Sequence, residues 1–182
     1  MPHIEQSDKI AGVQLVRLRS FADERGRFME TFRTEWFPQR SWDIIQSNRS
    51  DSRAGTLRGL HFHFEQVDYW YVVNGRLRVG MVDLRPSSPT YLATQTIDMG
   101  QDDNHGLFIP IGVAHGFVAL TDVTLTYIVD NYYNGGRDEN GVLWNDSQIN
   151  LDWGFTDPLI SPRDAANPPL KAILTTLEQR FT

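Results

Sequence analysis

The sequence predicts an all-β chain, a sandwich or jelly-roll barrel with one short helix at its carboxyl end, and three observations predict it. Fourteen Gly, nine Pro, ten Phe, six Tyr and five Trp fall in short bursts, the composition of many short strands joined by turns. Asn74-Gly75 sits between two β-rich runs in residues 68–83 and asks for a tight reversal. Leu170, Ile173, Leu174, Leu177 and Phe181 recur at helical spacing after Pro168-Pro169, which suits the start of an amphipathic helix packed on the outside of the barrel.

The strands expected, in order, are 13–18, 27–32, 44–48, 56–64, the two arms of 68–83, then 91–97, 106–109, 116–120 and 125–130. In 56–64 the alternation of a strand puts Leu57, Gly59, His61 and His63 on one side and Leu60, Phe62 and Phe64 on the other. Strict alternation also sends Arg58 to the side away from His61, so a bulge or Gly59 has to re-aim it. A two-residue type I′ turn at Asn74-Gly75 pairs Val73 with Arg76, Val72 with Leu77, Trp70 with Val79 and Asp68 with Met81. One face of that hairpin is Asp68, Trp70, Val72, Leu77, Val79 and Met81, apolar except for its carboxylate. Asp68 therefore needs a partner, unless the strand starts after it.

Composition bounds the function. A chain of 182 residues is one domain, 1–182, large enough to bury about 70% of its unfolded surface. With no cysteine, disulfides, thiolate metal sites and cysteine nucleophiles are excluded, and His, carboxylates, Tyr and Arg must carry any chemistry. The net charge of −6 argues against a nucleic-acid or anionic-membrane partner. Residues 1–9 lack the apolar core of a signal peptide, and 104–121, the longest stretch free of Asp, Glu, Lys and Arg, is broken by Gly and Pro. The expectation is a cytoplasmic protein with no membrane segment.

His61-x-His63 on its own reads as a pair of exposed or hydrogen-bonded histidines. With four further residues to Asp68, six more to Gly75, and Pro110-x-Gly112-x-x-His115 later, it resembles the two motifs of the cupin superfamily, Asp68 standing where Glu is usual. A narrower resemblance follows. Asp23-Glu24-Arg25-Gly26-Arg27-Phe28, Gln46-x-Asn48, Leu57-Arg58-Gly59-Leu60-His61, Val82-Asp83-Leu84-Arg85 with Ser88-Pro89-Thr90, Pro110-x-Gly112-x-Ala114-His115-Gly116-Phe117, Asp130-x-Tyr132-Tyr133, Trp144-Asn145-Asp146 and Ser161-x-x-Asp164 occur in that order. Over residues 12–170 the chain resembles the dTDP-4-dehydrorhamnose 3,5-epimerase family.

That resemblance implies a cupin-type double-stranded β-helix, assembled as a homodimer, that epimerises a nucleotide-linked 4-keto-6-deoxy sugar at one or two centres without metal or organic cofactor. It assigns His61 as the base beside the C4 ketone, Asp164 as the carboxylate that orients it, and Tyr127 as the acid on the opposite face of the enolate. It assigns Arg25 and Arg58, and less directly Arg163, to the diphosphate, and Phe28, Glu30, Gln46 and Asn48 to the nucleotide side. His115 and Tyr133 line the sugar pocket. Without the resemblance, Asp164 reads as a helix or turn cap, Tyr127 as strand packing and each Arg as surface charge.

The chain also departs from the family. The lysine usual before the hairpin strand, where its ammonium can hold enolate charge, is replaced by Asp68, and the acidic residue usual four before Asp83 is Val79. Three readings follow: an epimerase that holds its enolate by other donors, a metal-binding cupin enzyme with His61, His63, Asp68 and His115 around a divalent transition metal, or a non-catalytic nucleotide-sugar binding protein.

Overall fold

The computed structural model describes residues 2–181. Its strands are β1 (His3–Gln6), β2 (Gln14–Arg17), β3 (Ser20–Asp23), β4 (Gly26–Met29), β5 (Gln46–Ser52), β6 (Thr56–Phe62), β7 (Asp68–Asn74), β8 (Arg76–Asp83), β9 (Thr94–Gly100), β10 (His105–Ile109), β11 (Val113–Ala119), β12 (Val123–Val129), β13 (Asn140–Gly141) and β14 (Leu159–Ile160). Two helices follow, α1 (Pro162–Ala165) and α2 (Leu170–Arg180). One sheet runs β1-β2-β10-β7-β12-β5 and the other β13-β6-β11-β8-β9, with β14 parallel to β6; the fold is a jelly roll.

The expected hairpin is not formed. β7 pairs with β10 and β12, and β8 with β9 and β11, so Asn74-Gly75 carries the chain from one sheet to the other. A type I′ turn needs positive φ at both central residues, and here only Gly75 has it, at +80°. Its missing side chain matters in another way, since a Cβ there would lie 2.0 Å from the Asp122 carbonyl oxygen. Turn chemistry specifies where a chain reverses, not whether the flanking strands bond to each other. The predicted buried face survives because both sheets turn that face to one core: Trp70, Val72, Leu77, Val79 and Met81 all lie in it, with Leu107, Phe117 and Leu125.

Each sheet also has an outer cover. Leu170 and Leu177 of α2, with Trp153 and Ile149, pack on Leu57, Leu60, Phe62, Val82 and Val118 outside the second sheet. Trp36 and Phe37 cover Val16, Tyr69 and Phe108 outside the first. Among the described residues, strands β3 and β4 pair only with each other, as a hairpin apart from both sheets, so the strand expected at 27–32 is not an edge of the barrel. Among the described residues, no helix is long and apolar enough to cross a membrane.

Candidate active site

A break in the alternation of β6 builds the site. His61 faces His115 across the ladder and Arg58 faces Phe117, so three steps along β6 match two along β11, the signature of a bulge. Gly59 sits at φ +132°, and a Cβ on it would stand 2.7 Å from the Gly116 Cα. Two facing glycines thus let the strands close over the bulge. The consequence corrects the simple alternation: Arg58, His61 and His63 all line the cavity, whereas Leu57 joins Leu60 and Phe62 on the outer face.

The cavity has a volume of about 420 Å³ and opens between the two sheets. Gln46, Asn48 and Tyr127 line it from the first sheet, and Arg58, His61 and His115 from the second. His61 Nε2 lies 2.7 Å from Asp164 Oδ1, while Asp164 Oδ2 accepts the Gly59 N–H at 3.2 Å. Ser161, not Asp164, is the cap of α1: its Oγ accepts the Asp164 N–H at 3.1 Å, which leaves the carboxylate free for the imidazole. Burial alone would raise the Asp164 pKa, but hydrogen bonds from His61 and Gly59 outweigh it and hold the group below the usual carboxylate range. An ionised Asp164 accepts only, so Nε2 of His61 carries the proton and Nδ1 is the nitrogen able to take one.

Tyr127 is half-buried, and burial, reinforced by the charges of Asp68 and Glu139, pushes its phenol up, which keeps it a proton donor near neutrality. Arg58 is held by Ser52 Oγ at 2.9 Å and the Asp51 carbonyl at 3.3 Å. Gln46 donates to Asn48 Oδ1 at 2.8 Å and accepts the backbone N–H of Tyr133 at 3.1 Å, fixing where that exposed ring meets the cavity. Arg163 pairs with Glu139 at 3.7 Å, and both line the cavity. Arg25, Phe28 and Glu30 do not line it. They sit exposed on or just after the β3–β4 hairpin, Arg25 paired with Asp23 and Glu30 with Arg33.

Asp68 begins β7 and is buried; its oxygens accept Gln66 Nε2 at 3.1 Å and Trp70 Nε1 at 2.9 Å. His63 and His115, also buried, stand against it with Nε2 to carboxylate distances of 3.8 and 3.7 Å. Burial presses His115 down to about 4 despite the facing carboxylate, so its imidazole is neutral near pH 7. Burial opposes ionisation of Asp68 too, but positive charge on His115 or His63 draws its pKa down, and the Trp70 and Gln66 donors favour the carboxylate as well, so it is held below the usual value. His61 stands outside this group because Asp164 holds its Nε2; the four-residue set reduces to His63, Asp68 and His115.

Sequence reasoning missed Ser50, Gln66, Trp70, Phe117 and Glu139 as lining residues. Extending the alternation of Gln46-x-Asn48 by one step reaches Ser50, and the face predicted for Trp70 carries it inward. Glu139 lies just before β13, where no periodicity marks it.

The family profile described as dTDP-4-dehydrorhamnose 3,5-epimerase matches residues 7–172. A dTDP-4-dehydrorhamnose 3,5-epimerase of Shigella flexneri is 36% identical over 163 residues, which are 86% of this chain and 90% of that one. The crystal structure of RmlC from Legionella pneumophila, in complex with dTDP-4-keto-L-rhamnose, superposes with a TM-score of 0.88 at 28% identity, covering 97% of each chain. ChmJ of Streptomyces bikiniensis, a 3'-monoepimerase in complex with dTDP-quinovose, gives a TM-score of 0.85 at 29% identity, again over 97% of each chain.

Proposed function

The chain belongs to the dTDP-4-dehydrorhamnose 3,5-epimerase family, a family of isomerases, and we propose that it epimerises a nucleotide-linked 4-keto-6-deoxy sugar through His61, Asp164 and Tyr127. Carbon next to the C4 ketone is acidic because its carbanion delocalises onto the ketone oxygen. His61 Nδ1 takes that proton, and Asp164 stabilises the resulting imidazolium. The enolate then collapses as Tyr127 delivers a proton to its other face. Solvent afterwards removes the proton from His61 and restores the one on Tyr127, so the sugar gains and loses one proton and no redox partner is consumed.

One observation supports this reading above the others. His61 stands on β6 of one sheet and Tyr127 on β12 of the other, on facing walls of a single cavity. A planar enolate between them presents one face to the base and the other to the acid, which is what inversion requires. A passive binding protein has no use for a carboxylate-oriented imidazole opposite a phenol. Arg58 and Arg163 supply guanidinium groups for the diphosphate despite the net charge of −6.

We read the protein as a cytoplasmic homodimer needing no organic cofactor. Support for the dimer comes from Arg25, Phe28 and Glu30, which the resemblance gives to the substrate but which stand away from this chain's own cavity. They can serve the cavity of a second copy.

The test is incubation with dTDP-4-keto-6-deoxyglucose in heavy water. Deuterium is expected at C3, at C5 or at both, which counts the centres deprotonated, and the configuration of the labelled product tells which of them are inverted. His61→Asn should abolish the exchange and leave nucleotide affinity within a few fold, because a base acts in the transition state and not in ground-state binding. Undiminished exchange in that variant would remove His61 from the role.

A further inference from the structure

We propose that His63, Asp68 and His115 form a binding site for one divalent transition-metal ion, separate from the His61–Asp164 pair and opening into the same cavity. The first argument is which atoms face each other. His63 Nδ1 lies 2.7 Å from the Asp138 carbonyl and His115 Nδ1 lies 2.9 Å from the Val113 carbonyl. A carbonyl only accepts, so each Nδ1 carries its proton, and Nε2, the ring nitrogen left to bind an ion, is the one turned toward the carboxylate. Three electron-pair donors thus converge within 4.8 Å, all of them buried.

The second argument is distance. An imidazolium hydrogen-bonded to Asp68 would bring Nε2 to within about 2.9 Å, and the separations are 3.7 and 3.8 Å, too long for that bond. Ligand atoms about 2.1 Å from a shared ion stand about 3.4 Å apart in a tetrahedral arrangement; the two His–carboxylate separations come within a few tenths of an ångström of that, and all three ligand atoms lie within 4.8 Å of one another. The contact that competes is the Gln66 amide, whose Nε2 is 3.4 Å from His63 Nε2 and 3.1 Å from Asp68 Oδ1.

The third argument is the outer support. Both imidazoles are aimed by backbone carbonyls, and Asp68 is held by the Trp70 indole at 2.9 Å, the arrangement that fixes tautomer and rotamer around metal ligands. Two imidazoles and one carboxylate suit iron, manganese, cobalt, nickel or zinc, and such a set leaves coordination positions open. The three side chains line the same cavity as His61 and Tyr127, so those positions on an ion held by them would be open to it. Under the epimerase reading they would take the C4 oxygen and hold the enolate charge as it develops; that use rests on the reading above, whereas occupancy of the site does not.

The experiment is titration of the full chain, stripped with chelator, with Mn²⁺, Fe²⁺, Co²⁺, Ni²⁺ and Zn²⁺ in the absence of any sugar. One equivalent of at least one ion should bind per chain and raise the melting temperature. Asp68→Asn and His63→Gln should each weaken it by at least about 100-fold, while His61→Asn should keep it within a few fold. Should the variants at the buried positions fail to fold, pulsed EPR of the Cu²⁺-loaded wild type should show coupling to two imidazole nitrogens. Failure of all five ions to bind, binding indifferent to Asp68→Asn and His63→Gln, or a spectrum without two nitrogens would overturn the proposal. With no sugar present, a chain that binds metal but lacks epimerase activity and an active chain that binds none are distinct results, and only the second counts against the site.

Discussion

His61 and Asp164 stand 103 residues apart in the chain and 2.7 Å apart in the fold, and each depends on a neighbour that does no chemistry. Ser161 takes the helix-capping duty that Asp164 would otherwise have, and Gly59 both creates the bulge that re-aims Arg58 and donates to the second carboxylate oxygen. Tyr127 is the residue whose role separates most cleanly from theirs. In Tyr127→Phe the base is intact, so deprotonation continues, but the enolate lacks its acid on the far face and returns to the configuration it came from. Deuterium wash-in should therefore persist while epimer formation falls by about 10²-fold or more, read as the ratio of labelled substrate to product by NMR. Unchanged values for both would make Tyr127 a packing residue. The three residues proposed for catalysis were reachable from the sequence because each is fixed by a motif match or by a count from one. The removal of His61 from the His63–Asp68–His115 group was not, since spacing cannot say that Asp164 has already taken the His61 Nε2.

Motif residues outside the cavity tie elements together. Asp146 of Trp144-Asn145-Asp146 accepts the N–H groups of Gln148 and Ile149 at 2.8 and 3.3 Å and that of Leu170 at 2.8 Å, so a distant loop caps α2 where Pro169 offers no side-chain acceptor. Asp146→Ala leaves buried donors unmet and should cost about 1–3 kcal/mol, seen as a melting temperature lower by a few degrees. Asp83 is a second tie: Arg85, Ser88 and Thr90 all donate to it, which explains the Val82-Asp83-Leu84-Arg85 and Ser88-Pro89-Thr90 pieces without any part in the cavity. Burial would raise its pKa, yet these donors hold it below the usual value. Because the folded state keeps Asp83 ionised at lower pH than the unfolded chain does, its stabilisation is complete above the ordinary aspartate value near 4 and is lost as pH falls through the lowered one. Asp83→Asn should cost about 3 kcal/mol at pH 7, and denaturant titrations should find that gap narrowing below pH 4. Most strand positions were readable from the sequence and helix α2 from its apolar spacing, but β1 and β3, four residues each, were not expected. Strands β13 and β14, two residues each, carry too few side chains for any period to register.

At the scale of the whole molecule, the buried face of residues 68–81 was correctly read while its strand pairing was not, because burial depends on which way side chains point and pairing depends on how two sheets close on each other. The same limit governs Arg25, Phe28 and Glu30. The family resemblance gives them to the substrate, but only the fold reveals a hairpin that pairs with neither sheet, is held to this chain by Arg27 donating to Gln101 and Asn104, and exposes Phe21 and Phe28 at 49% and 67%. Apolar rings so placed are suited to contact with a second copy. If two chains exchange these hairpins, each active site contains His61 from one chain and Arg25 and Phe28 from the other. Neither His61→Asn nor the double variant Arg25→Ala, Phe28→Ala should then turn over alone. Mixed, unfolded together and refolded, half of the dimers are hybrids, and in each hybrid one cavity combines an intact His61 with an intact hairpin. Activity should recover to about one quarter of wild type, with light scattering reporting dimers throughout. No recovery in a mixture shown to contain hybrids would place the hairpin outside the partner's cavity, and a monomer at micromolar concentration would remove the exchange altogether.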